Sequence, residues 1–314
     1  MVLVPMIPVQ VLNPRRSVPV HGTLTGERAV SGCVLTYMTF DTPTSVLGEP
    51  VPVSAAQLES IALALRVAEQ TKAPVQQLTT LFPTLTPGDA YVIASVNVAE
   101  KLAVGQSIVG RKVGLTSRAM QQQLGVDQPD YGVITTDMIV RAPASVDCAE
   151  LIAPRVEAEF AFRLGRDLVA GQESAQSLRE AIDEIYISME IIDSRIADWK
   201  IGLADTIADN ASSARLVVGG GVAATPELFA ALPATTLTLS QNGAVIASGE
   251  GREVLGDPLL GVEWVVTRLG ELGETLRAGE IILAGAVHAS VGLQPGTEYT
   301  VSAPGFEPVT ITTA

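Results

Sequence analysis

The chain has 314 residues, 47% hydrophobic and 17% charged, so it has ample material for a core and is not disordered as a whole. Acidic residues outnumber basic ones by 34 to 20, giving a formal charge of −14. This charge excludes the basic surface of a nucleic-acid-binding protein and disfavours an anionic membrane surface. The two cysteines cannot build a disulfide framework, and no window predicts a membrane span or a convincing signal peptide. We therefore expect a cytoplasmic protein without nucleic-acid or membrane partners.

The first part of the chain differs in composition from the rest. Residues 1–53 hold seven of the 19 prolines and show no helical periodicity. They predict an irregular N-terminal arm or extension, and Met38 is an alternative initiator. We assign residues 54–108 to a helical N-terminal part and residues 109–314 to a β-rich catalytic domain.

Two helices are predicted in the helical part. Ser54 and Gln57 have the spacing of a capping box, and apolar residues at near-helical spacing continue to about Gln70. Thr86 is the predicted N-cap of a second helix, because a proline and an aspartate follow it in the first turn. This helix is expected to end near Val104, just before a glycine.

From residue 105 onward, short apolar and alternating runs indicate strands. Asn242-Gly243 favours a hairpin turn between two of these runs. Helices are expected at 173–184 and 258–270. The whole pattern predicts an α+β fold that is rich in strands. The predicted strands are Val156–Leu164, Ile185–Ile192, Leu216–Val218, Thr236–Leu239, Ala244–Ala247, Ile281–Leu283 and Tyr299–Val301.

Two glutamates stand two positions apart in the first of these strands. The strand period places Glu157 and Glu159 on one face, while Val156, Ala158 and Phe160 point to the other face and to apolar packing. Adjacent carboxylates on a hydrophobic strand repel each other, and a divalent cation with oxygen ligands relieves that repulsion. The alternative is an exposed edge strand with solvated glutamates.

A third glutamate, Glu190, lies in an apolar run where an isolated carboxylate is costly to bury. With Glu157 and Glu159 it would complete a three-carboxylate site with positions open to water or to a chelating substrate. The alternative is an ion pair with Arg195 or Arg155. The residues alone leave both interpretations open.

Four further residues are candidates for chemistry. Lys112 precedes a short Val-Gly-Leu run, so it is placed at a strand end facing a cleft, where desolvation would tune its pKa; an ordinary surface lysine is the alternative. Asp127 and Asp130 lie in a Gly/Pro/Asp-rich loop, as turn formers or as catalytic carboxylates. His288 lies in a run of small residues, and either lines a pocket or packs in the core.

Several of these segments together resemble a known family. They are similar, in order and over about residues 55–314, to the 2-keto-4-pentenoate hydratases, in the hydratase/decarboxylase branch of the fumarylacetoacetate hydrolase superfamily. The resemblance implies a β-rich fumarylacetoacetate-hydrolase-like fold and a homo-oligomer. The matching segments are Gly110–Ser117, Gln121–Asp130, Pro154–Glu159, Met189–Ile196 with Asp198-Trp199, Ala208–Ser212 and Gly279–Gly285.

The resemblance also implies the roles of individual residues. The metal carboxylates of the family fall on Glu157, Glu159 and Glu190, and the implied cofactor is Mg²⁺ or Mn²⁺. The active-site lysine and the acid/base aspartate of the family fall on Lys112 and Asp130. The substrate-binding residues are expected to be Ser212, which lies in the Asp-Asn-Ala-Ser segment, and His288.

The implied reaction is the hydration of 2-hydroxypenta-2,4-dienoate to 4-hydroxy-2-oxopentanoate, a step in aromatic meta-cleavage catabolism. Its substrate is a small 2-hydroxydienoate or 2-oxo acid, and an enzyme of the same pathway is a further expected partner. The alternatives are a 4-oxalocrotonate decarboxylase and a hydratase for a longer dienoate. A C–C bond hydrolase is disfavoured because no histidine lies between Ser54 and Glu157. A non-enzymatic scaffold is disfavoured because all five site residues are present.

Overall fold

A computed structural model of the protein describes residues 27–30, 33–36, 52–117, 121, 126–141, 144–169 and 175–314. Within the segment predicted as an irregular arm, Glu27–Val30 (β1) and Cys33–Thr36 (β2) pair as an antiparallel hairpin. At these two strands the chain is more regular than its proline content led us to expect. The alternative initiator, Met38, lies outside the described residues.

The two helices predicted in the helical part are confirmed. Helix α1 is Ala55–Thr71, and Ser54 caps it through the predicted capping box. A short helix, Leu78–Leu81 (α2), leads to Pro87–Ala103 (α3), which has Thr86 as its N-cap. In both caps the side chain of the third residue of the helix accepts a hydrogen bond from the N-cap N–H, so each helix start satisfies its own first donors.

The remaining elements alternate between short strands and helices. The further helices are Ala175–Ala181 (α4), Leu203–Ala208 (α5), Pro226–Ala231 (α6) and Pro258–Glu271 (α7). The further strands are Ile108–Gly114 (β3), Asp130–Thr135 (β4), Ser145–Val146 (β5), Arg155–Leu164 (β6), Leu168–Val169 (β7), Ile182–Ile192 (β8), Ser213–Val218 (β9), Val222–Ala223 (β10), Thr236–Gln241 (β11), Ala244–Glu250 (β12), Thr275–Leu276 (β13), Ile281–Ala286 (β14), Val291–Gly292 (β15), Glu298–Ser302 (β16) and Val309–Thr313 (β17).

All seven predicted strands are confirmed, most of them extended by one to three residues. The predicted hairpin joins β11 to β12 through Asn242 and Gly243, whose φ angles of 48° and 81° suit a tight turn. The helix predicted at 173–184 is wrong at its end, because the chain is already in β8 from Ile182. Ile182 and Ile185 at the start of that strand are opposite Leu164 and Phe162 of β6, and this pairing overrides local helical periodicity.

The larger sheet is rolled, and this roll creates the site. Its strands follow the order β10-β8-β6-β14-β3-β4, with β9 on β8 and β15 on β6. The segment after β4 returns to β9, since Ile139 bridges to Leu216 and the N–H of Val140 donates to the carbonyl of Leu216 over 2.9 Å. The two ends of the sheet therefore meet, and the inward-facing residues of six strands surround one space.

The outward face of the rolled sheet packs on a second sheet, of order β12-β11-β16-β17-β5, and on α7. As predicted, Val156, Ala158 and Phe160 point into this apolar interface and are fully buried. A separate apolar cluster holds α1 and α3 together, and it also contains Ile196 and the buried residues of α5. The boundary at residue 108 stays a prediction. Among the described residues, no helix is long and apolar enough to cross a bilayer.

Candidate active site

Three glutamates meet on the inward face of the rolled sheet. Glu157 of β6 is directly opposite Glu190 of β8, and Glu159 is opposite Ser188, so strand pairing alone places all three carboxylates on one face. One oxygen of each carboxylate lies within 4.8 Å of the others. We call these three residues the carboxylate cluster. Glu159 is 1% exposed and Glu190 is fully buried, which excludes the alternative of solvated glutamates on an edge strand.

Lys112 supplies positive charge to the carboxylate cluster. Its Nζ lies 2.8 Å from Oε2 of Glu190 and donates to the carbonyl of Ala211 over 3.0 Å. The alternative partners considered for Glu190 are engaged elsewhere: Arg195 pairs with Asp209, and Arg155 donates to Ser290. Lys112 is 4% exposed and lies in the interior of β3, not at a strand end.

Asp130 is the first residue of β4 and not part of the preceding loop. It faces the same space as Lys112, because the β3–β4 register sets Lys112 opposite Gly132 and Asp130 opposite Gly114. Each functional side chain thus faces a glycine across the ladder. A Cβ on Gly114 would lie 2.2 Å from Oδ1 of Asp130, so the Asp130 carboxylate occupies the space that a side chain at position 114 would need.

Burial and mutual repulsion control the protonation of this group of residues. Desolvation raises the pKa of Asp130 to about 6, against the opposing effects of Lys112 and Thr206. Desolvation likewise raises the pKa of Glu157 to about 7, and it raises the pKa of Glu159 together with repulsion from Glu190 and Glu157. For Lys112, burial favours the neutral amine, but the three carboxylates outweigh it and raise its pKa.

The residues present fit a divalent metal ion. The carboxylate cluster offers only oxygen ligands, the donor set preferred by hard cations. Oε1 of Glu190 is buried without a hydrogen-bond donor among the described residues, an arrangement that is costly unless a cation is bound there. Gly285, at φ 117° in the bulge of β14, donates its N–H to Oε2 of Glu159 over 2.9 Å and orients that carboxylate.

An apolar cluster inside the roll closes the space on the side away from Glu157. Its members continue the inward-facing positions of the strands that carry the functional groups, for example Ala161 after Glu159 and Ile134 after Gly132. An apolar floor of this kind strengthens electrostatic interactions above it by excluding water. The buried members are Ile134, Met138, Ala161, Tyr186, Leu216 and Leu283.

Among the described residues, the side chains of Ser212 and His288, the two predicted substrate-binding residues, form no hydrogen bond with the carboxylate cluster, Lys112 or Asp130. Ser212 is buried, and its hydroxyl donates to Oδ2 of Asp209 over a long 3.4 Å. Nδ1 of His288 lies 2.9 Å from the carbonyl of Ala289, while Nε2 is buried without a hydrogen-bond partner among the described residues. Burial lowers the pKa of His288. Substrate contact by Ser212 and His288 stays a prediction.

Sequence reasoning missed several groups that shape the site. Asn210 and Ala211 lie in one of the matching segments, but nothing in their residue types signals the contact of the Ala211 carbonyl with Lys112. The N–H of Gly285 on Glu159 is a backbone group and has no sequence signal of its own. Arg155 was considered only as a partner of Glu190, but its position two residues before Glu157 signals the observed effect, since its charge lowers the pKa of the Glu157 carboxyl.

The comparisons with known proteins agree with this geometry. The family model described as fumarylacetoacetate (FAA) hydrolase C-terminal matches residues 107–313. A 2-keto-4-pentenoate hydratase of Paraburkholderia xenovorans (strain LB400) is 41% identical over 243 residues, covering 77% of this chain and 90% of that protein. The chain belongs to the 2-keto-4-pentenoate hydratase branch of the fumarylacetoacetate hydrolase superfamily. The predicted fold class, family and hydratase assignment are thereby confirmed.

Two further relatives bear on the substrate. A 2-hydroxyhexa-2,4-dienoate hydratase of Comamonas testosteroni is 37% identical, covering 77% of this chain and 90% of its own length. The solved structure of 4-oxalocrotonate decarboxylase from Pseudomonas putida G7, complexed with magnesium and adipate, has a TM-score of 0.78 and 34% identity, covering 83% of this chain and 98% of that one. The same decarboxylase is also known with calcium and acetate. A divalent metal site is therefore supported by relatives as well as by the carboxylate cluster.

The raised carboxyl pKa values predict how the stability of the metal-free protein changes with pH. Glu157 and Asp130 keep their protons up to about pH 7 and 6 when folded, but lose them near 4.5 and 3.8 when unfolded. The folded state therefore binds more protons in this window, and stability falls as pH rises through it. A bound dication removes this penalty, so the stabilisation by metal is expected to grow between about pH 5 and 8. Melting temperatures measured across this range, with Mg²⁺ and with EDTA, test this; a constant gap between the two curves would contradict it.

Proposed function

We propose that the protein is a divalent-metal-dependent hydratase that converts 2-hydroxypenta-2,4-dienoate to 4-hydroxy-2-oxopentanoate. The observation that carries the proposal is the carboxylate cluster, two of whose members are buried, with Lys112 and Asp130 on the same inward face of the rolled sheet. The 41% identity to a 2-keto-4-pentenoate hydratase supports the choice of reaction. The oligomeric state, a pathway partner and a cytoplasmic location stay predictions from the sequence.

Glu157, Glu159 and Glu190 would hold the metal ion. We propose Mg²⁺, with Mn²⁺ as the substitute, because both ions favour oxygen ligands and leave positions for water or substrate. When bound, the ion would supply Lewis-acid stabilisation of negative charge on the C2 oxygen of the substrate. The N–H of Gly285 holds Glu159 in place for this role.

Asp130 is the proposed proton acceptor. Its raised pKa of about 6 allows it to exchange a proton near neutral pH. In the first step, ketonisation, the 2-hydroxyl loses its proton and C5 gains one, which gives an α,β-unsaturated 2-oxo acid. In the second step, water adds at C4, one of its protons passes to Asp130, and C3 is protonated.

Lys112 is the proposed source of fixed positive charge. An ammonium group has three N–H donors, and the contacts with Glu190 and Ala211 use two of them. The third remains for an oxygen of the substrate, where charge develops as the enol loses its proton. Because the carboxylate cluster raises its pKa, Lys112 holds its proton through this step.

A decarboxylase is the second candidate, favoured by the TM-score of 0.78 to 4-oxalocrotonate decarboxylase. That reaction would use the same metal and lysine to stabilise the enolate left after loss of CO₂. It does not require a base that activates water. The two candidates therefore differ in their demand on Asp130.

A paired assay decides between them. The purified protein receives freshly generated 2-hydroxypenta-2,4-dienoate or 4-oxalocrotonate, each with Mg²⁺ and with EDTA, and the products are identified by mass. We expect a gain of water on the first substrate that EDTA abolishes. Loss of CO₂ from the second, without hydration of the first, would establish the decarboxylase. Hydration that continues at full rate in EDTA would overturn the metal-dependent mechanism.

Substitution of Asp130 provides a second arm of this assay. Asp130→Asn is expected to lower hydration by about 100-fold or more, the usual contribution of a positioned base. Asp127→Asn is the matched control, because Asp127 is exposed and lies three residues earlier. If Asp130→Asn hydrated the substrate as fast as Asp127→Asn, Asp130 would have no part in the mechanism.

A further inference from the structure

The turn between α5 and β9 has an uncommon backbone. Asn210, Ala211 and Ser212 have φ angles of 54°, 50° and 55°, so three successive residues other than glycine are in the left-handed region. Asparagine is found in the left-handed region several times more often than most residues other than glycine, whereas alanine and serine are uncommon there. A buried turn of this shape persists only where surrounding contacts determine it.

The side chain of Asn210 is one of those contacts. Its Oδ1 accepts from the N–H of Val133 over 2.8 Å, and its Nδ2 donates to the carbonyl of Val133 over 2.9 Å. Both backbone groups of Val133 lie on the free side of β4, the last strand of the sheet order. The amide thus takes the place of a neighbouring strand and fastens the turn to β4.

The fastened turn lies directly over Lys112. A Cβ on Gly132 would lie 2.6 Å from the carbonyl oxygen of Asn210 and 3.1 Å from Cγ of Lys112, so the three residues are stacked without spare room. The next carbonyl in the turn, that of Ala211, accepts from Nζ of Lys112 over 3.0 Å. The left-handed backbone at Asn210 and Ala211 sets the direction in which this carbonyl points.

We propose that Asn210 is a positioning residue: its side-chain amide ties the left-handed turn to Val133 and thereby directs the Ala211 carbonyl at the amino group of Lys112. Two fixed acceptors, Glu190 and Ala211, then define where the third N–H of Lys112 points. This inference rests on the proposed function, because it gives Lys112 a role in the reaction. Asn210 would thus support the reaction although its own side chain makes no contact with Lys112.

Substitution of Asn210 is expected to leave the protein folded. The residue before it, Asp209, anchors the same turn independently, since its carboxylate pairs with Arg195 and accepts from the N–H of Arg195 and the hydroxyl of Ser194. Glycine at position 210 also retains easy access to the left-handed region. Asn210→Gly therefore removes the amide and leaves the turn accessible.

The test compares Asn210→Gly and Asn210→Ala with Asn242→Gly. Asn242 is a matched control, because it also has a left-handed φ, of 48°, and its Oδ1 accepts from a backbone N–H, that of Glu298, over 3.0 Å. We expect both Asn210 variants to lose about 10- to 100-fold in kcat, the size of effect found for groups that orient others, with KM and Mn²⁺ affinity nearly unchanged. Asn242→Gly is expected to keep the full kcat.

A chemical readout separates positioning from general damage. The chain has only four lysines, so reductive methylation followed by mass spectrometry reports each one. In Mg²⁺-loaded Asn210→Gly, Lys112 is expected to be methylated several-fold faster than in the unsubstituted protein, while Lys72, Lys101 and Lys200 keep their rates.

Several outcomes would overturn the inference. Full activity of Asn210→Gly together with loss in Asn210→Ala would show that only the backbone conformation matters. Loss of Mn²⁺ binding, or faster methylation of all four lysines, would show a structural role. Full activity of both variants would overturn it while leaving the proposed function intact, provided that Lys112→Met is inactive. An active Lys112→Met would instead remove Lys112 from the reaction, and the role of Asn210 with it, whereas absence of hydration by the unsubstituted protein would overturn the proposed function.

Discussion

Glu190→Gln is expected to lose both metal binding and turnover. Glu190 is fully buried, lies opposite Glu157 across the β6–β8 ladder, and is 2.8 Å from Nζ of Lys112. Glutamine keeps the shape but removes the negative charge that a dication requires. We expect metal affinity to fall by at least about 10- to 100-fold, the loss seen for groups that merely orient ligands. We expect kcat/KM to fall by at least about 100-fold.

The same substitution is expected to spare the fold of the metal-free protein. It removes the ion pair with Lys112, but it also relieves the repulsion that raises the pKa of Glu157 and Glu159. The melting temperature in EDTA should therefore stay within about 4 °C of the unsubstituted protein. Metal at 100 times the Kd stabilises the unsubstituted protein by about 2.7 kcal/mol, and a 100-fold weaker site would keep only about 0.4 kcal/mol of this.

Asp183→Asn is the matched control for Glu190→Gln. Asp183 lies on the same strand, is exposed, and pairs with Arg163 far along β8 from the carboxylate cluster. Calorimetric titration with Mn²⁺ and a melting curve in Mg²⁺ and in EDTA give the two readouts. A Glu190→Gln protein that binds metal as tightly as Asp183→Asn would remove Glu190 from the metal site.

The carboxylate cluster could be predicted because strand periodicity is a local property. Alternation in β6 is sufficient to place Glu157 and Glu159 together and to send Ala158 to the core, and the structure confirms both. A glutamate in an apolar run similarly signals a buried partner without identifying it. The partner of Glu190 proved to be Lys112 rather than either arginine considered, because the choice depends on how the sheet rolls.

The roll itself has no local signal. It depends on the return of the chain after β4 to β9, where Ile139 meets Leu216 across more than seventy positions of sequence. For the same reason, the placement of Lys112 at a strand end and of Asp130 in a loop was not correct, since pairing of β3 with β4 extends both strands to include them. Residue preferences indicate which segments of the chain form strands, but pairing with neighbouring strands determines the first and last residue of each strand.

Contacts made by backbone groups are, like the roll of the sheet, a feature that the sequence does not predict. The carbonyl of Ala211 and the N–H of Gly285 contact Lys112 and Glu159, yet every residue has such groups. Their position follows from left-handed backbone at residues 211 and 285, at φ 50° and 117°. The glycine at position 285 is a residue type that favours a positive φ, so the sequence offers a hint there, whereas the alanine at position 211 offers none.

Lys112→Met is expected to have the opposite effect on metal affinity from Glu190→Gln while also abolishing turnover. The ammonium group of Lys112 competes with a dication for Glu190 and repels it through space, so its removal should tighten metal binding. The metal-free variant holds three carboxylates without their cation, those of Glu159 and Glu190 buried, and should be less stable than the unsubstituted protein. The rise in melting temperature on adding Mg²⁺ is therefore expected to be larger in Lys112→Met than in the unsubstituted protein.

Turnover by Lys112→Met is expected to fall by about 10²- to 10³-fold even with the metal site saturated, because methionine offers no N–H to the substrate oxygen. Lys101→Met is the matched control, since Lys101 also forms ion pairs, with Glu69 and Asp137, but lies outside the carboxylate cluster. A tighter metal site combined with lost turnover separates a lysine that takes part in the reaction from one that only balances charge. If Lys112→Met bound metal more tightly and kept its activity, Lys112 would be a counter-ion of the metal-free state alone, and the third N–H would have no part in the reaction.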